Sequence, residues 1–216
     1  QLRGSYSFLL LFRDEIIAVR DPSGCRPLSF GENGHLLVFA SESCAFETLN
    51  VRPAGEVEPG TFIRVGTGCA KHITRFAHAR EKKCSFEPVY FSHHAGDTFG
   101  IPLMDFRLRL GAALEEECPA LGAEMVLGVP DSAMVIAMGY GKSGRSGHYV
   151  PALTRHHHAG GRTFILPRQD RREATVRRKF QCSVSAIKDK KVVLVDDSIV
   201  RSTTMRLLVS RIRMAG

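Results

Sequence analysis

The stretch Lys190-Lys191-Val192-Val193-Leu194-Val195-Asp196-Asp197-Ser198-Ile199-Val200-Arg201-Ser202-Thr203-Thr204 decides how this chain is read. Its four consecutive apolar residues, Val192 to Val195, predict a strand buried on both faces, the kind found in parallel sheets. Two acids follow at the carboxyl end of that strand, where open α/β sheets place their ligands. Beyond them, Arg201 to Thr204 offers hydroxyls and backbone N–H groups at the start of a helix, where unpaired donors and the helix dipole favour a phosphate. Adjacent carboxylates beside such a cradle can accept the vicinal hydroxyls of a ribose or hold Mg²⁺, which takes oxygen ligands and keeps part of its hydration shell. An isolated Asp-Asp is most often a helix cap or a turn. The apolar strand before it and the Ser-Thr-Thr after it favour a sugar-phosphate site instead.

Working outward from this stretch, the second half of the chain alternates helix and strand patterns. A helix is expected from Phe106 to Glu117, a strand at Met125 to Val129, a helix from Ala133 to Lys142, a strand at Thr163 to Leu166 and a helix from Thr203 to Met214. That alternation indicates a parallel sheet with helices on its faces. The first half reads differently. Tyr6 to Phe12 and Glu15 to Arg20 are apolar runs joined by Arg13-Asp14, which suits an antiparallel hairpin, and Asp21-Pro22-Ser23-Gly24 is a turn. Strands at His35 to Ala40 and Thr61 to Val65 and a short helix from Glu42 to Leu49 complete a β-rich region. From Gly66 to Lys83 the periodicity fades, and this segment is expected to connect two domains.

Composition sets the outer limits. The chain has 216 residues, 44% of them apolar, enough to bury a core. Its formal charge of +8 is spread along the chain except for a concentration at Arg168 to Lys179, where Arg168, Arg171, Arg172, Arg177, Arg178 and Lys179 gather. With no nucleic-acid-binding motif beside them, these cations suit a small anionic substrate or a solvated face better than DNA or RNA. The sequence shows neither an eighteen-residue apolar run nor a charged-then-apolar leader, so a cytoplasmic protein with no membrane span is expected. Six cysteines lie far apart without a C-x-x-C pair, which argues against a zinc ribbon and a disulfide framework. The chain opens on Gln1 in what reads as mid-domain, as though cut from something longer.

Val195 to Thr204 resembles the phosphoribosyl-pyrophosphate (PRPP) binding signature of type I phosphoribosyltransferases, and its Asp-Asp-Ser-Ile-Val-Arg form resembles that of the glutamine phosphoribosylpyrophosphate amidotransferase family. Other segments agree in order. Arg20 to Leu28, Ala40 to Ala45 and Val57 to Gly60 resemble the later part of that family's glutaminase domain, and Cys84 to Phe91 the segment joining its domains. Gly161-Arg162-Thr163-Phe164-Ile165 resembles the loop that closes over PRPP, and Val176 to Phe180 the segment after it.

The resemblance implies an α/β chain in two parts. Residues 1–83 would be the C-terminal part of a β-rich N-terminal-nucleophile glutaminase fold. Residues 84–216 would be a type I phosphoribosyltransferase domain, a parallel sheet flanked by helices and lacking its C-terminal end. The implied reaction forms 5-phosphoribosylamine from PRPP and glutamine-derived ammonia, with purine nucleotides as inhibitors and a homo-oligomeric assembly. Asp196 and Asp197 would position the ribose, and Ser198, Ile199, Val200, Arg201, Ser202, Thr203 and Thr204 would hold the 5-phosphate. Asp131, in Val129-Pro130-Asp131-Ser132, would contact PRPP. Ser132, Asp196 and Asp197 would hold Mg²⁺, and Arg162 would stabilise the departing pyrophosphate.

Departures from the family pattern matter as much. Gln1 stands where no nucleophilic cysteine is offered, so on this reading the chain would use free ammonia at most. The closing loop carries Thr154-Arg155-His156-His157-His158-Ala159-Gly160 in place of the usual Lys-Asn-Arg-Tyr-Val, and Ser202 replaces the usual Gly, which would strain the cradle if that position needs φ > 0. Cys84 matches the first of four [4Fe–4S] ligands in one branch of the family, but a cluster needs all four thiolates, so a plain thiol is expected. The alternative function, from a different class, is a non-catalytic relic that binds PRPP or nucleotide weakly or partners an intact paralogue.

Overall fold

The computed structural model describes residues 2–66, 71–156, 179–199 and 202–216. The chain divides into two compact units, Gln1–Leu103 and Met104–Gly216.

The first unit is built from the hairpin that the sequence predicts: β1 (Ser7–Phe12) and β2 (Glu15–Arg20) pair antiparallel, Ser7 opposite Arg20 and Phe12 opposite Glu15. Arg13 makes the tight turn at φ 53°. A second antiparallel sheet contains β3 (Ser29–Glu32), with β4 (Leu37–Ala40) on one side and β5 (Arg52–Glu56) on the other, and α1 (Ala45–Thr48) lies between β4 and β5 in the chain. Then β6 (Thr61–Val65) returns to pair with β2. Ala18, Ile63 and Val65 from the first sheet share a core with Leu28 and Val57, against which Phe30, Leu37 and Phe39 pack.

The segment 66–83, expected to be a connection, contains a strand. Residues Lys71–Arg75 form β7, paired antiparallel with β6 from Val65 opposite Lys71 to Thr61 opposite Arg75. All five of its residues are exposed, so burial never imposes the apolar alternation by which a strand is recognised. The neighbouring β5, Arg-Pro-Ala-Gly-Glu, is hidden for a related reason, since Pro and Gly read as a turn.

Residues 84–103 group with this first unit rather than with the second. The contacts that place them there are polar and specific. Cys84 N–H donates to the Cys25 carbonyl at 3.1 Å, and Asp97 N–H donates to Ser43 Oγ at 2.8 Å. His93 N–H donates to Glu42 Oε2 at 2.6 Å, and Arg26 Nε meets the buried Glu87 carboxylate at 2.6 Å. Burial pushes the Glu87 carboxyl above its ordinary value, with Arg26 and the Ser92 hydroxyl opposing. A π-helical turn, Glu87–Phe91, and the short antiparallel pair β8 (Asp97–Thr98) and β9 (Ile101–Pro102) lie in this segment.

In the second unit, α2 (Leu103–Glu117) leads to β10 (Met125–Gly128), α3 (Met134–Tyr140) and β11 (His148–Tyr149). A two-stranded ladder follows, β12 (Leu153–Arg155) with β13 (Phe180–Cys182), then a helical turn at Val184–Ile187, β14 (Val192–Val195) and the C-terminal helix Thr203–Met214. The strand and helix expected at 192–195 and 203–214 are present with those bounds. The strand expected at Thr163 to Leu166 lies outside the described residues, as does the basic run Arg168 to Arg178.

Three strands form a parallel sheet in the order β11-β10-β14. Both faces of β10 are covered, which is why it reads as an unbroken apolar run. Val126 packs with Ile136, Ala137, Tyr140 and Val195, while Met125 and Leu127 pack with Ala152 and Ile187. The approach of α3 to its neighbours is set by glycines. A Cβ on Gly128 would lie 2.8 Å from the Ala133 carbonyl oxygen and from Met134 Cα. One on Gly111 would lie 1.9 Å from the Ile136 oxygen, and one on Gly139 would lie 2.1 Å from the Leu108 oxygen.

Among the described residues, no helix is long and apolar enough to cross a membrane.

Candidate functional site

Parallel pairing puts the ends of β10 and β14 side by side, Gly128 opposite Val195, and Val129 N–H extends the ladder by donating to the Val195 carbonyl at 2.9 Å. The chain leaves both strands in the same place. One exit carries Val129-Pro130-Asp131-Ser132, with the Pro130–Asp131 peptide cis, and the other carries Asp196-Asp197-Ser198. The two loops are joined directly: Ser132 Oγ donates to Asp197 Oδ2 although 65 positions separate them. Ser198 Oγ donates to the other oxygen of the same carboxylate at 2.6 Å, and Asp197 N–H donates to Asp196 Oδ1 at 3.1 Å.

The electrostatics of the pair are unbalanced. Burial first, and then the neighbouring Asp197 charge, raise the Asp196 carboxyl from 3.8 to about 6, against a small opposing effect of the Asp197 N–H. A half-buried carboxylate pair whose donors among the described residues are the Ser132 and Ser198 hydroxyls and the Asp197 amide is an anionic site that a hard cation would neutralise. The donors are all oxygens and include no thiolate or imidazole, which fits Mg²⁺ in kind; Ser132, Asp196 and Asp197 are the residues that would hold it. Among the described residues no group of three or more His, Cys, Asp or Glu side chains converges as a metal site.

Two cations that the sequence reading did not assign to the site stand beside it. Arg155 Nη1 donates to Asp131 Oδ2 at 2.6 Å. Lys179 is half-buried, and its pKa is lowered by that burial and by the like charge of Arg155, while Asp131 draws it the other way. Their convergence follows from the β12–β13 ladder, which pairs Arg155 with Phe180, and from His156 N–H donating to the Lys179 carbonyl at 2.8 Å. In the sequence these residues are 24 positions apart in two basic contexts, and only strand pairing brings them together.

On the far side of the acids, the C-terminal helix begins behind Ser202, whose carbonyl accepts the Arg206 N–H at 2.9 Å. Ser202 sits at φ 54°, ψ 3°, in the left-handed region. An L-residue there costs ~1–2 kcal/mol, most of which glycine avoids at the expense of a looser unfolded chain. Ser202→Gly is therefore expected to stabilise the chain by about 0.5–1 kcal/mol, read as a higher urea midpoint at unchanged slope. Ile199 is exposed and Thr204 half-buried. Of Thr203 only the helical backbone is described, and Val200, Arg201 and Arg162 lie outside the described residues, as do His157 and His158. Cys84 is a half-buried free thiol in the first unit.

Comparison with known proteins gives a consistent set of relatives. A family model described as a glutamine amidotransferase domain matches residues 1–48. The amidophosphoribosyltransferase of Methanothermobacter thermautotrophicus is 38% identical over 217 residues, covering 100% of this chain and 45% of that protein. The namesake proteins of Bacillus subtilis and Pyrococcus horikoshii are 39% and 42% identical, again over 100% of this chain and over 44% and 46% of their own lengths. Among solved structures, glutamine PRPP amidotransferase from B. subtilis complexed with ADP and GMP superimposes with a TM-score of 0.86 at 39% identity, covering 99% of this chain and 46% of that one. A structure described as the allosteric regulatory enzyme of purine biosynthesis gives 0.85 over 45% of its chain. This chain thus spans a little under half the length of the relatives it matches.

Proposed function

This chain is a homologue of the amidophosphoribosyltransferases, and on that premise we propose that its second unit binds PRPP and supports displacement of pyrophosphate by ammonia, yielding 5-phosphoribosylamine. On this reading the first unit corresponds to the later part of an N-terminal-nucleophile glutaminase fold, and the second to a type I phosphoribosyltransferase domain. The ammonia is either free or released from glutamine. Purine nucleotides such as the ADP and GMP bound in the B. subtilis structure would compete at, or regulate, the same site.

The observation that carries the reading is the Ser132–Asp197 hydrogen bond across the carboxyl end of the β10–β14 pair, beside an Asp196 carboxyl that burial and the Asp197 charge raise to about 6. Asp196 and Asp197 would accept the ribose 2- and 3-hydroxyls, fixing the anomeric carbon between the two loops. The backbone N–H groups ahead of the C-terminal helix would take the 5-phosphate, together with the Ser198 and Thr204 hydroxyls. Asp131 and Ser132 lie on the pyrophosphate side, and Arg162 would approach from the closing loop. Bound Mg²⁺ would supply charge neutralisation of the departing pyrophosphate. As that bond breaks, the anomeric carbon develops positive charge, and the adjacent carboxylates stabilise it.

The test is calorimetric titration of PRPP with Mg²⁺ into the purified chain. Saturable one-to-one binding that requires Mg²⁺ is expected, followed by ammonia-dependent release of pyrophosphate. A folded chain that produces no heat with PRPP at any Mg²⁺ concentration would overturn the reading. Binding without turnover would instead assign the chain as a non-catalytic relic, a reading that the left-handed Ser202 in the cradle favours.

A further inference from the structure

Among the described residues, no carboxylate is bonded to the ammonium of Lys179, although the side chain is half-buried. That ammonium lies over the Phe180 ring, 5.2 Å from its centroid. Phe180 is buried in a core that it shares with Val129 and Ala133, the residues on either side of Pro130-Asp131-Ser132. The residue before β13 is thereby brought to the loop that leaves β10, where both Asp131 and Arg155 act on its charge.

The carboxylate that faces Lys179 is already engaged. Asp131 Oδ2 accepts a hydrogen bond from Arg155 Nη1 at 2.6 Å, so two cations stand against one carboxylate. Burial first, and then the like charge of Arg155, lower the Lys179 pKa from 10.5, which means that the folded chain disfavours the charged ammonium. A half-buried cation kept at a cost in stability is a mark of a binding site, because the ligand supplies the counter-ion. Ser132, next in the chain after Asp131, is bonded to Asp197, which puts this charge at the edge of the carboxylate pair on the Pro130–Ser132 side. The N–H groups ahead of the C-terminal helix follow the other loop, so anionic groups have two separate places to go.

On the PRPP reading of that site, we propose that Lys179 binds the pyrophosphate group and that Arg155 is a positioning residue, holding the Asp131 carboxylate so that the Lys179 charge stays available to the substrate. An ammonium is a compact point charge with three donors, able to follow the pyrophosphate oxygens from bound substrate to departing product. The charge that builds on pyrophosphate as the anomeric bond breaks strengthens this contact, whereas the 5-phosphate, held by the other loop, lies outside it. Without Arg155, Asp131 would turn to Lys179 and neutralise it.

Lys179→Met keeps an apolar stem over Phe180 and removes the charge. Calorimetric titration of the wild-type chain, Lys179→Met, Arg155→Gln and the double variant with PRPP, inorganic pyrophosphate and ribose 5-phosphate, all with Mg²⁺, separates the two ends of the substrate. Expected for Lys179→Met is a loss of about 10- to 100-fold in affinity for PRPP and pyrophosphate, the worth of one charge-assisted contact, with ribose 5-phosphate bound as in the wild type. Its urea midpoint should rise, since a desolvated charge has gone, so unfolding cannot account for the loss. Arg155→Gln should lose less, and should add little when Lys179→Met is already present, because it acts through that charge. Equal weakening of all three ligands, or a lowered midpoint, would make Lys179 a structural residue and overturn the assignment. Additive losses in the double variant would overturn the part given to Arg155. Pyrophosphate affinity untouched in Lys179→Met would overturn the inference and leave the PRPP reading standing, whereas a wild-type chain that binds none of the three ligands would remove both.

Discussion

Replacing Asp196 and Asp197 together by asparagine is expected to weaken Mg²⁺-dependent PRPP binding by roughly 1,000-fold or beyond detection, because charge-assisted hydrogen bonds contribute about 1.5–3 kcal/mol each. The single Asp196→Asn variant should show the opposite effect on stability. The folded-state pKa of Asp196, about 6, lies above the ordinary 3.8, so the wild-type chain holds its full stability from this group below about 3.8 and loses it as pH rises through about 6. Asparagine carries no charge to desolvate and keeps an oxygen for the Asp197 N–H. At pH 7.5 the variant should therefore be more stable by about 1 kcal/mol, a value discounted for partial exposure, and the difference should vanish below pH 4. Urea denaturation at the two pH values reads this directly. PRPP affinity of the wild-type chain should fall as pH drops through about 6, since the protonated acid no longer attracts the cation. A variant that binds PRPP normally, or a stability difference independent of pH, would show that these acids are not the charged centre of the site.

The largest effect on folding is expected at the crossing of α2 and α3. Gly111→Ala places a methyl group 1.9 Å from the Ile136 carbonyl oxygen and 2.7 Å from the Tyr140 nitrogen. Both obstacles are backbone atoms, so no side-chain rotation relieves the contact. Gly139→Ala meets the Leu108 backbone from the other side, its oxygen at 2.1 Å. In an ordinary helix interior the same exchange stabilises by about 1 kcal/mol, so the sign itself is diagnostic. Here the helices must separate, and α3 is also held against β10 at Gly128. Each substitution is expected to destabilise by about 3 kcal/mol or more, enough to leave the second unit largely unfolded at 37 °C. Circular dichroism melts of the two variants would check this. An unchanged or raised midpoint would mean that the helices do not cross this closely.

How legible the molecule is depends on where burial leaves its mark. Val192 to Val195 is readable because both faces are covered, and the hairpin at Ser7 to Arg20 because its turn separates two apolar runs. β7 is not, since Lys71 to Arg75 is exposed along its whole length and its side-chain contacts, such as the ion pairs of Lys71 with Glu32 and Arg75 with Glu58, impose no apolar period. Segment 84–103 reads in the sequence as the start of the second part, but its docking depends on Arg26–Glu87, Glu42–His93 and Ser43–Asp97, polar contacts between positions 51 to 61 residues apart that leave no periodic trace.

The sequence by itself determined the elements around the candidate site: an apolar strand, two acids at its end, and a helix opening on hydroxyls. These are local patterns, set by side-chain spacing along one segment. The tertiary structure alone decided which loops meet. Parallel pairing of β10 with β14 brings the Ser132 hydroxyl onto Asp197, and the β12–β13 ladder brings Arg155 and Lys179 beside Asp131. It also decided that Ser202 takes a left-handed conformation and that burial, then the Asp197 charge, raises the Asp196 carboxyl to about 6. Such features depend on the distance between segments and on the water excluded between them, and neither is a property of any single stretch of chain.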